Sequence, residues 1–265
     1  MHDKKNDVID KIREYYRKRA TTDKYATSPD FNLREIEINN ISEHLAEGTK
    51  VLDVGCGNGF STLCYATKIN SVFIGVDFVP EMIEAANLLK KKVSLRGTVD
   101  FVVGDVLSLD FPDGFFDTVI SQRCLLNLPE KDMQWTAMRE IARVLKSGGI
   151  YLMMEGTKQG LDNLNTTREM FGLAPIPDAD PNNNWFSNKF DEAKMLKVAE
   201  RYFSCLEHIQ RFGMYYFISR VIHPLLVSPE RPRYDAPINA VARTICEKIS
   251  NFDDLGHVAL FVFRR

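Results

Sequence analysis

The sequence has little that could staple a fold covalently or through a metal. Its five cysteines, Cys56, Cys64, Cys124, Cys205 and Cys246, are odd in number and widely scattered over 265 residues. With no C-x-x-C pair and with five histidines equally dispersed, neither a disulfide framework nor a structural metal site is supported, and no metal is expected. Long apolar runs are missing too. The longest, Tyr215 to Val227, is interrupted by Arg220, His223 and Pro224, far short of a membrane span. The amino terminus, His2 to Arg19, is charged and helix-like and lacks the apolar stretch of a secretory signal. Charge of one sign is also missing: 34 Lys plus Arg stand against 36 Asp plus Glu, a balance of −2. That argues against a chain whose bulk charge grips nucleic-acid phosphates or anionic lipid. A reduced, cytoplasmic protein with no nucleic-acid or membrane partner is the expectation, and nothing speaks to oligomeric state.

What is present is an alternation of strands and helices. Apolar residues recur at helical spacing from Val8 to Tyr16 and again from Leu33 to Leu45, with Thr27-Ser28-Pro29-Asp30 as a break and helix entry. Short apolar runs follow at 50–54, 72–76, 101–103, 118–121 and 150–154. Helical stretches are expected at 60–69, 80–92 and 132–145, the last stopped by the glycine signal Ser147-Gly148-Gly149. Such an order predicts a parallel sheet covered on both faces. Residues 158–189 read as polar and punctuated; a helix at 191–202, a strand near 206–212, a helix around 239–249 and a final strand at 258–263 complete the chain. The whole, 1–265, reads as one domain: an N-terminal helical cap (1–47), a ligand-binding core (48–157), and the rest of the sheet with lid-like insertions (158–265).

The most informative stretch is Val51-Leu52-Asp53-Val54-Gly55-Cys56-Gly57-Asn58-Gly59. A strand running into three glycines and then a helix lets a ligand approach the main chain closely, beyond the strand ends where open sheets bind ligands. The spacing is G-x-G-x-G, not the G-x-G-x-x-G of dinucleotide sites, and Asp53 precedes it. An acid there suits an ammonium group better than a pyrophosphate. Asp77, ending the second strand, can accept both hydroxyls of a ribose; Asp105, after the third, can accept an adenine amino hydrogen or simply close a turn. An ammonium, a ribose diol and an adenine without phosphate describe S-adenosylmethionine better than NAD.

These residues, followed by GVDFVPEMIEAA (75–86), GDVLSLDFPDGFFDTVIS (104–121) and REIARVLKSGGIYLMME (139–155), resemble the class I S-adenosylmethionine-dependent methyltransferase family over about residues 48–157. The resemblance implies a Rossmann-like α/β fold, with a seven-stranded, mostly parallel sheet whose last strand is antiparallel and with helices on both faces. It implies that Asp53, Gly55, Gly57 and Gly59 hold the methionine end of the cofactor and Asp77 its ribose. Phe78 and Val106 would flank the adenine, and Asp105 would meet its amino group. Arg34 resembles an occasional carboxylate partner, with a solvated helix residue as the alternative. Glu155-Gly156-Thr157 with Gly160-Leu161 and Leu164-Asn165 resembles methyltransferases found among bacterial surface-polysaccharide genes.

The acceptor is expected past strands four and five, among Gln122, Arg123, Asn127 and Glu155 and the lid residues Tyr15, Tyr25, Asn163, Asn165 and Arg168. Gln122 also counts as a cofactor neighbour. Arg123 follows a buried strand, where a guanidinium needs an anion: a substrate phosphate or carboxylate, or a structural acid such as Glu155. Glu155 is a candidate general base or a bridge to the lid main chain. Trp185 is a substrate platform or a loop anchor. The fourth strand lacks both the Pro-Pro-aromatic run of nucleic-acid amino methylation and the acid of magnesium-dependent catechol enzymes. A small-molecule acceptor follows, with O-methylation of a sugar, nucleotide-linked sugar or related anionic intermediate as the leading reading and S-adenosylhomocysteine as product. N-methylation, an NAD-dependent oxidoreductase and a non-catalytic cofactor-binding module stay open as alternatives.

Overall fold

The computed structural model describes residues 2–178, 186–249 and 254–265, with side chains from residue 7 onward. Seven strands make one sheet: β1 (Lys50–Val54), β2 (Val72–Asp77), β3 (Thr98–Val103), β4 (Phe116–Gln122), β5 (Leu145–Gly156), β6 (Cys205–Arg211) and β7 (Val258–Arg264). Their order is β3-β2-β1-β4-β5-β7-β6. The first five strands run parallel, and β7 lies antiparallel to both of its neighbours. This is the sheet expected from the sequence, and β1 and β4 flank the point where its order reverses, the usual place for a ligand crevice.

The central strands are apolar throughout because both faces are covered. Val51, Ile120, Leu152 and Met154 point into one core, shared with α2 (Phe31–Glu43), α3 (Phe60–Lys68) and α4 (Pro80–Lys90). Leu52, Val119, Tyr151 and Met153 point into the other, under α5 (Lys131–Val144). The two-residue period of a strand distributes its side chains in this way. α1 (His2–Arg19) lies beside α4 at the carboxyl ends of the strands.

Three features depart from the sequence reading. First, α5 stops at Val144, and Leu145 already pairs with Phe116. Ser147-Gly148-Gly149 forms a bulge within β5 instead of ending the helix, with Gly148 at φ +74°; left-handed glycine serves either purpose. Second, the polar stretch after β5 contains α6 (Lys158–Met170), entered through Thr157, whose hydroxyl accepts from the Gly160 N–H at 3.3 Å. Only Gly160, Leu161 and Leu164 are buried along it, so its apolar stripe is too thin to register. Third, after α7 (Glu192–Ala199), residues 213–227 form one helical segment, α8 (Gly213–Phe217) and α9 (His223–Val227) joined by a π turn. Tyr215, Tyr216 and Val221 are all fully buried, which hides any single apolar face. α10 (Pro237–Cys246) packs against it. Asn182–Asn184 and Trp185 lie outside the described residues, and no helix among those described is long and apolar enough to cross a membrane.

One polar knot ties the start of α2 to the 213–227 segment. Asp30 caps α2 by accepting from the Leu33 N–H at 3.1 Å, accepts from the Tyr215 hydroxyl at 2.6 Å and pairs with Arg220. Asp30 and Arg220 keep only 6% and 13% of their side-chain surface exposed. Removing one partner of a buried pair strands the other charge. Asp30→Ala is therefore expected to cost about 3–5 kcal/mol of unfolding free energy, against about 1 kcal/mol for Tyr215→Phe. Chemical denaturation of both variants checks this; equal losses would show that Arg220 is not the group left stranded.

Candidate active site

At the carboxyl ends of β1 and β2 a crevice of about 100 Å³ opens. Its floor is the glycine loop after β1, where Gly55 and Gly57 take φ of +70° and +55°. At Gly55 a Cβ would sit 2.4 Å from the Cys124 sulfur, so close packing as well as backbone conformation demands glycine there. The loop is pinned from above. Asn58, fully buried, donates to the carbonyls of Thr21 and Asp23, both at 2.9 Å, holding the α1–α2 connection over it.

Two carboxylates face this crevice. Asp53, 3% exposed, accepts a 2.5 Å hydrogen bond from Thr62, and burial pushes its carboxyl up to about 7. Asp77 accepts from the Gly57 N–H at 2.8 Å and the Val79 N–H at 3.0 Å, one bond to each oxygen, with burial pushing it up to about 6. Each oxygen keeps a lone pair for a ligand. Arg34 lines the same crevice at 3% exposure. It donates to the Lys24 carbonyl at 3.0 Å and to Ser61 at 3.4 Å, and among the described residues it meets no carboxylate at ion-pair distance. Burial, then the nearby Arg123 charge, brings it down to about 10.

An adjoining cavity of about 110 Å³ is lined by Phe78, Asp105 and Val106, together with Ile9, Ile12 and Arg13 of α1 and Met133 of α5. The Arg13 guanidinium sits 5.4 Å from the Phe78 ring centre. Asp105 is exposed and accepts from the Leu107 N–H at 2.9 Å, closing a turn with one oxygen.

Beyond β4 and β5 lies a third, larger cavity of about 470 Å³, between α1, α6 and the 213–227 segment. Arg123, Tyr16, Thr27 and Asn127 line both it and the first crevice. Arg123 has φ 53°, a conformation that costs a side-chain-bearing residue energy and recurs at functional sites. Its N–H bonds the Met154 carbonyl at 2.7 Å, fixing the bend.

The sequence-level site residues separate into groups. Arg34, Asp53, Gly55, Gly57, Asp77, Phe78 and Gln122 share the first crevice; Asp105 and Val106 stand in its neighbour. Gly59 lies on neither wall: a Cβ there would meet Phe101 at 2.4 Å and Ala86 at 2.9 Å, so it serves packing. Tyr15, Asn127 and Arg168 line the large cavity. Tyr25 is 41% exposed against Phe31, Asn163 bonds the Asp254 carbonyl at 3.2 Å, and Asn165 exchanges two bonds with Ile176 at 2.8 and 2.9 Å. Those three brace loops and touch none of the three cavities.

Two further expectations need correction. Arg123 pairs not with Glu155 but with Glu37 of α2, at 3.3 Å, and also reaches Ser28 at 3.2 Å. Glu155 is fully buried off all three cavities, and its oxygens accept from the N–H groups of Cys124, Leu125 and Leu126 at 3.1, 2.9 and 3.2 Å. It clamps the turn after β4, the structural use of a carboxylate at that strand end, with burial pushing it up to about 7. Sequence reasoning missed Glu37, which is fully buried and also accepts from Gln122 at 2.7 Å; an acid inside the Ile36–Ile38 apolar run was the available signal. It also missed Ile9, Ile12 and Arg13, whose role depends on where α1 docks. The thiols of Cys56 and Cys124, both on the crevice wall, are pushed well up by burial and by neighbouring carboxylates.

A sheet of this order, with a glycine loop after its first strand and an acid ending its second, defines a class I methyltransferase fold. Residues 52–153 match the family model described as a methyltransferase domain. Ajmaline N-methyltransferase of Rauvolfia serpentina is 35% identical over 111 residues, 42% of this chain and 37% of that protein. The 27-O-demethylrifamycin SV methyltransferase of Amycolatopsis mediterranei is 33% identical over 105 residues, 40% and 38% respectively. The matched stretch thus spans under two fifths of either relative's length. A solved structure of a SAM-dependent methyltransferase from Methanosarcina mazei superposes with a TM-score of 0.58 at 19% identity, covering 85% of this chain and 96% of that one. Over residues 52–153 the chain is thus similar to the methyltransferase-domain family, and its sheet is that of the class I methyltransferase fold.

The raised carboxyls give a stability signature whose sign is fixed. An acid whose folded pKa lies above its unfolded value of 3.8 makes the native state bind the extra proton. Stability then falls as pH rises from about 4 through about 7. Asp53→Asn removes that loss. In ligand-free protein it is expected to raise unfolding free energy at pH 8 by on the order of 2–4 kcal/mol and to change little at pH 4. Thermal unfolding at the two pH values measures it, and a variant destabilised at pH 8 would show that Asp53 is well solvated.

Proposed function

We propose that this chain binds S-adenosylmethionine in the crevice beside the glycine loop and transfers its methyl group to a small molecule in the 470 Å³ cavity. The carrying observation is that Asp53 and Arg34, each buried and, among the described residues, each without a counter-ion at bonding distance, line one crevice. An acid and a guanidinium together complement a zwitterionic amino-acid end: Asp53 would take the ammonium and Arg34 the carboxylate. Asp77, with free lone pairs on both oxygens, suits a ribose diol; Phe78 and Val106, with Ile9 and Ile12 above, suit a flat base. Asp105 would offer its second oxygen to the amino edge of that base.

Bound there, S-adenosylmethionine supplies an already activated methyl group, so alignment and exclusion of water are the main demands on the protein. Asn127 and Arg123 stand where the two compartments meet and would orient the acceptor. Arg123 is itself held by Glu37, and Glu37 by Gln122, so this positioning is built on buried contacts. Glu155 has no place in this scheme beyond keeping the turn after β4 in shape.

The acceptor is read as a polar small molecule, with O-methylation of a sugar, a nucleotide-linked sugar or a related anionic intermediate as the finer reading. Support comes from the cavity wall, which carries Ser28, Asn127, Ser187 and several cations. The relatives named above are N- and O-linked in their names and neither is named for a sugar.

Calorimetric titration with S-adenosylhomocysteine tests the reading. Arg34→Gln and Asp77→Ala are each expected to weaken binding roughly ten- to a hundredfold, the scale of charge-assisted hydrogen bonds. Asp53 must be ionised to meet an ammonium, so wild-type affinity should fall about tenfold per pH unit below about 7. Asp53→Asn should bind weakly and lose the part of that dependence between about pH 7 and pH 6, leaving only what Asp77 adds below about 6. Unchanged affinity in all three variants would remove the cofactor from this crevice.

A further inference from the structure

Six cationic side chains line the large cavity, Arg19, Arg123, Arg168, Lys189, Arg220 and Arg233, against the acids Asp30 and Asp178. Four of the six are answered. Arg220 pairs with Asp30, Lys189 with Asp178 at 3.6 Å, Arg123 with Glu37 at 3.3 Å and Arg233 with Asp235 at 2.6 Å. Arg19 and Arg168 are not: among the described residues neither has a carboxylate at ion-pair distance. Arg168 donates through Nε and Nη2 to the Ala174 carbonyl at 2.9 and 2.7 Å, and through Nη1 to the Arg220 carbonyl. Arg19 donates to the Ala26 carbonyl at 3.0 Å. Neutral carbonyls fix a guanidinium in place without cancelling its charge.

Even the paired cations of this wall leave a positive field within it. Arg168 is lowered by burial and then by Arg220. His257, on the same wall, is held down to about 3 by burial and by the charges of Lys189, Arg220 and Arg123. A half-buried wall with two uncompensated guanidiniums is costly unless an anion arrives. A phosphoryl dianion matches that surplus, and planar guanidinium forks suit its oxygens.

We propose that the acceptor is a phosphorylated small molecule, its phosphoryl group seated on the wall that carries Arg168 and Arg220, with Arg19 adding to the attraction. The group to be methylated then points back toward Asn127 and Arg123. The word acceptor rests on the methyl-transfer reading; the anion site does not.

The probes are inorganic phosphate and pyrophosphate, with acetate and citrate as carboxylate arms, titrated into the full chain. Expected are submillimolar pyrophosphate binding, weaker phosphate binding, and little from acetate or citrate. Arg168→Gln should weaken pyrophosphate at least tenfold while leaving S-adenosylhomocysteine affinity unchanged, and Arg168→Lys should recover part of the loss. Because Arg168 also braces the Ala174 carbonyl, Arg19→Gln supplies a second reading, with a several-fold loss expected. Phosphate and pyrophosphate binding no better than acetate, citrate binding as well as pyrophosphate, or affinity indifferent to both arginines would overturn the proposal. Pyrophosphate binding without S-adenosylhomocysteine binding would sink methyl transfer and leave the anion site standing.

Discussion

One constraint runs through the carboxyl edge of this sheet: carboxylates held away from water. Asp53, Asp77, Glu37 and Glu155 are each 9% exposed or less, and an ionised acid in such a place needs partners. The chain answers each differently. Glu155 receives three main-chain N–H groups, Asp77 two, and Glu37 an arginine and an amide; Asp53 receives a single hydroxyl. The fully satisfied one shapes a turn, and the least satisfied one is the group with most to gain from a cationic ligand.

The sheet was legible because its signals are local. The first two strand runs, the glycine loop and Asp77 lie within thirty residues of one another, and the order of the motifs carries the resemblance that implied the sheet. Of the residues facing the first crevice, Asp53, Gly55, Gly57, Asp77, Phe78 and Gln122 lie at or just past strand ends, where the motifs announce them. What could not be read depends on packing between distant segments. Arg123 needs an acid, which the sequence does announce, yet its partner Glu37 lies 86 positions away on α2. Asn163 and Asn165 look available as polar residues of a lid, but the loops they brace, at Asp254 and Ile176, are set only by the tertiary fold. Gly59 completes a motif while answering to Phe101; spacing cannot distinguish a glycine that meets a ligand from one that meets a ring.

The division of labour between the two compartments follows from the same electrostatics. In the first crevice Asp53 and Asp77 balance Arg34 and Arg123, whereas in the large cavity cations predominate; among the described residues Arg34 lacks a counter-ion in the one, and Arg19 and Arg168 in the other. Arg123 sits on the boundary, tied to Glu37 and therefore nearly neutral as a pair. A strained backbone and a buried counter-ion hold it against both compartments, and its charge still lowers Arg34 on one side and His257 on the other.

Cys56 and Cys124 border the crevice proposed to hold an alkylating sulfonium, which makes either sulfur a competing nucleophile if it ionises. Burial first, and then the neighbouring carboxylates that favour an ammonium, suppress the thiolate by raising the cost of negative charge there. Protection from self-alkylation is thus a by-product of the burial and charge pattern that would recruit the donor, and needs no residue of its own.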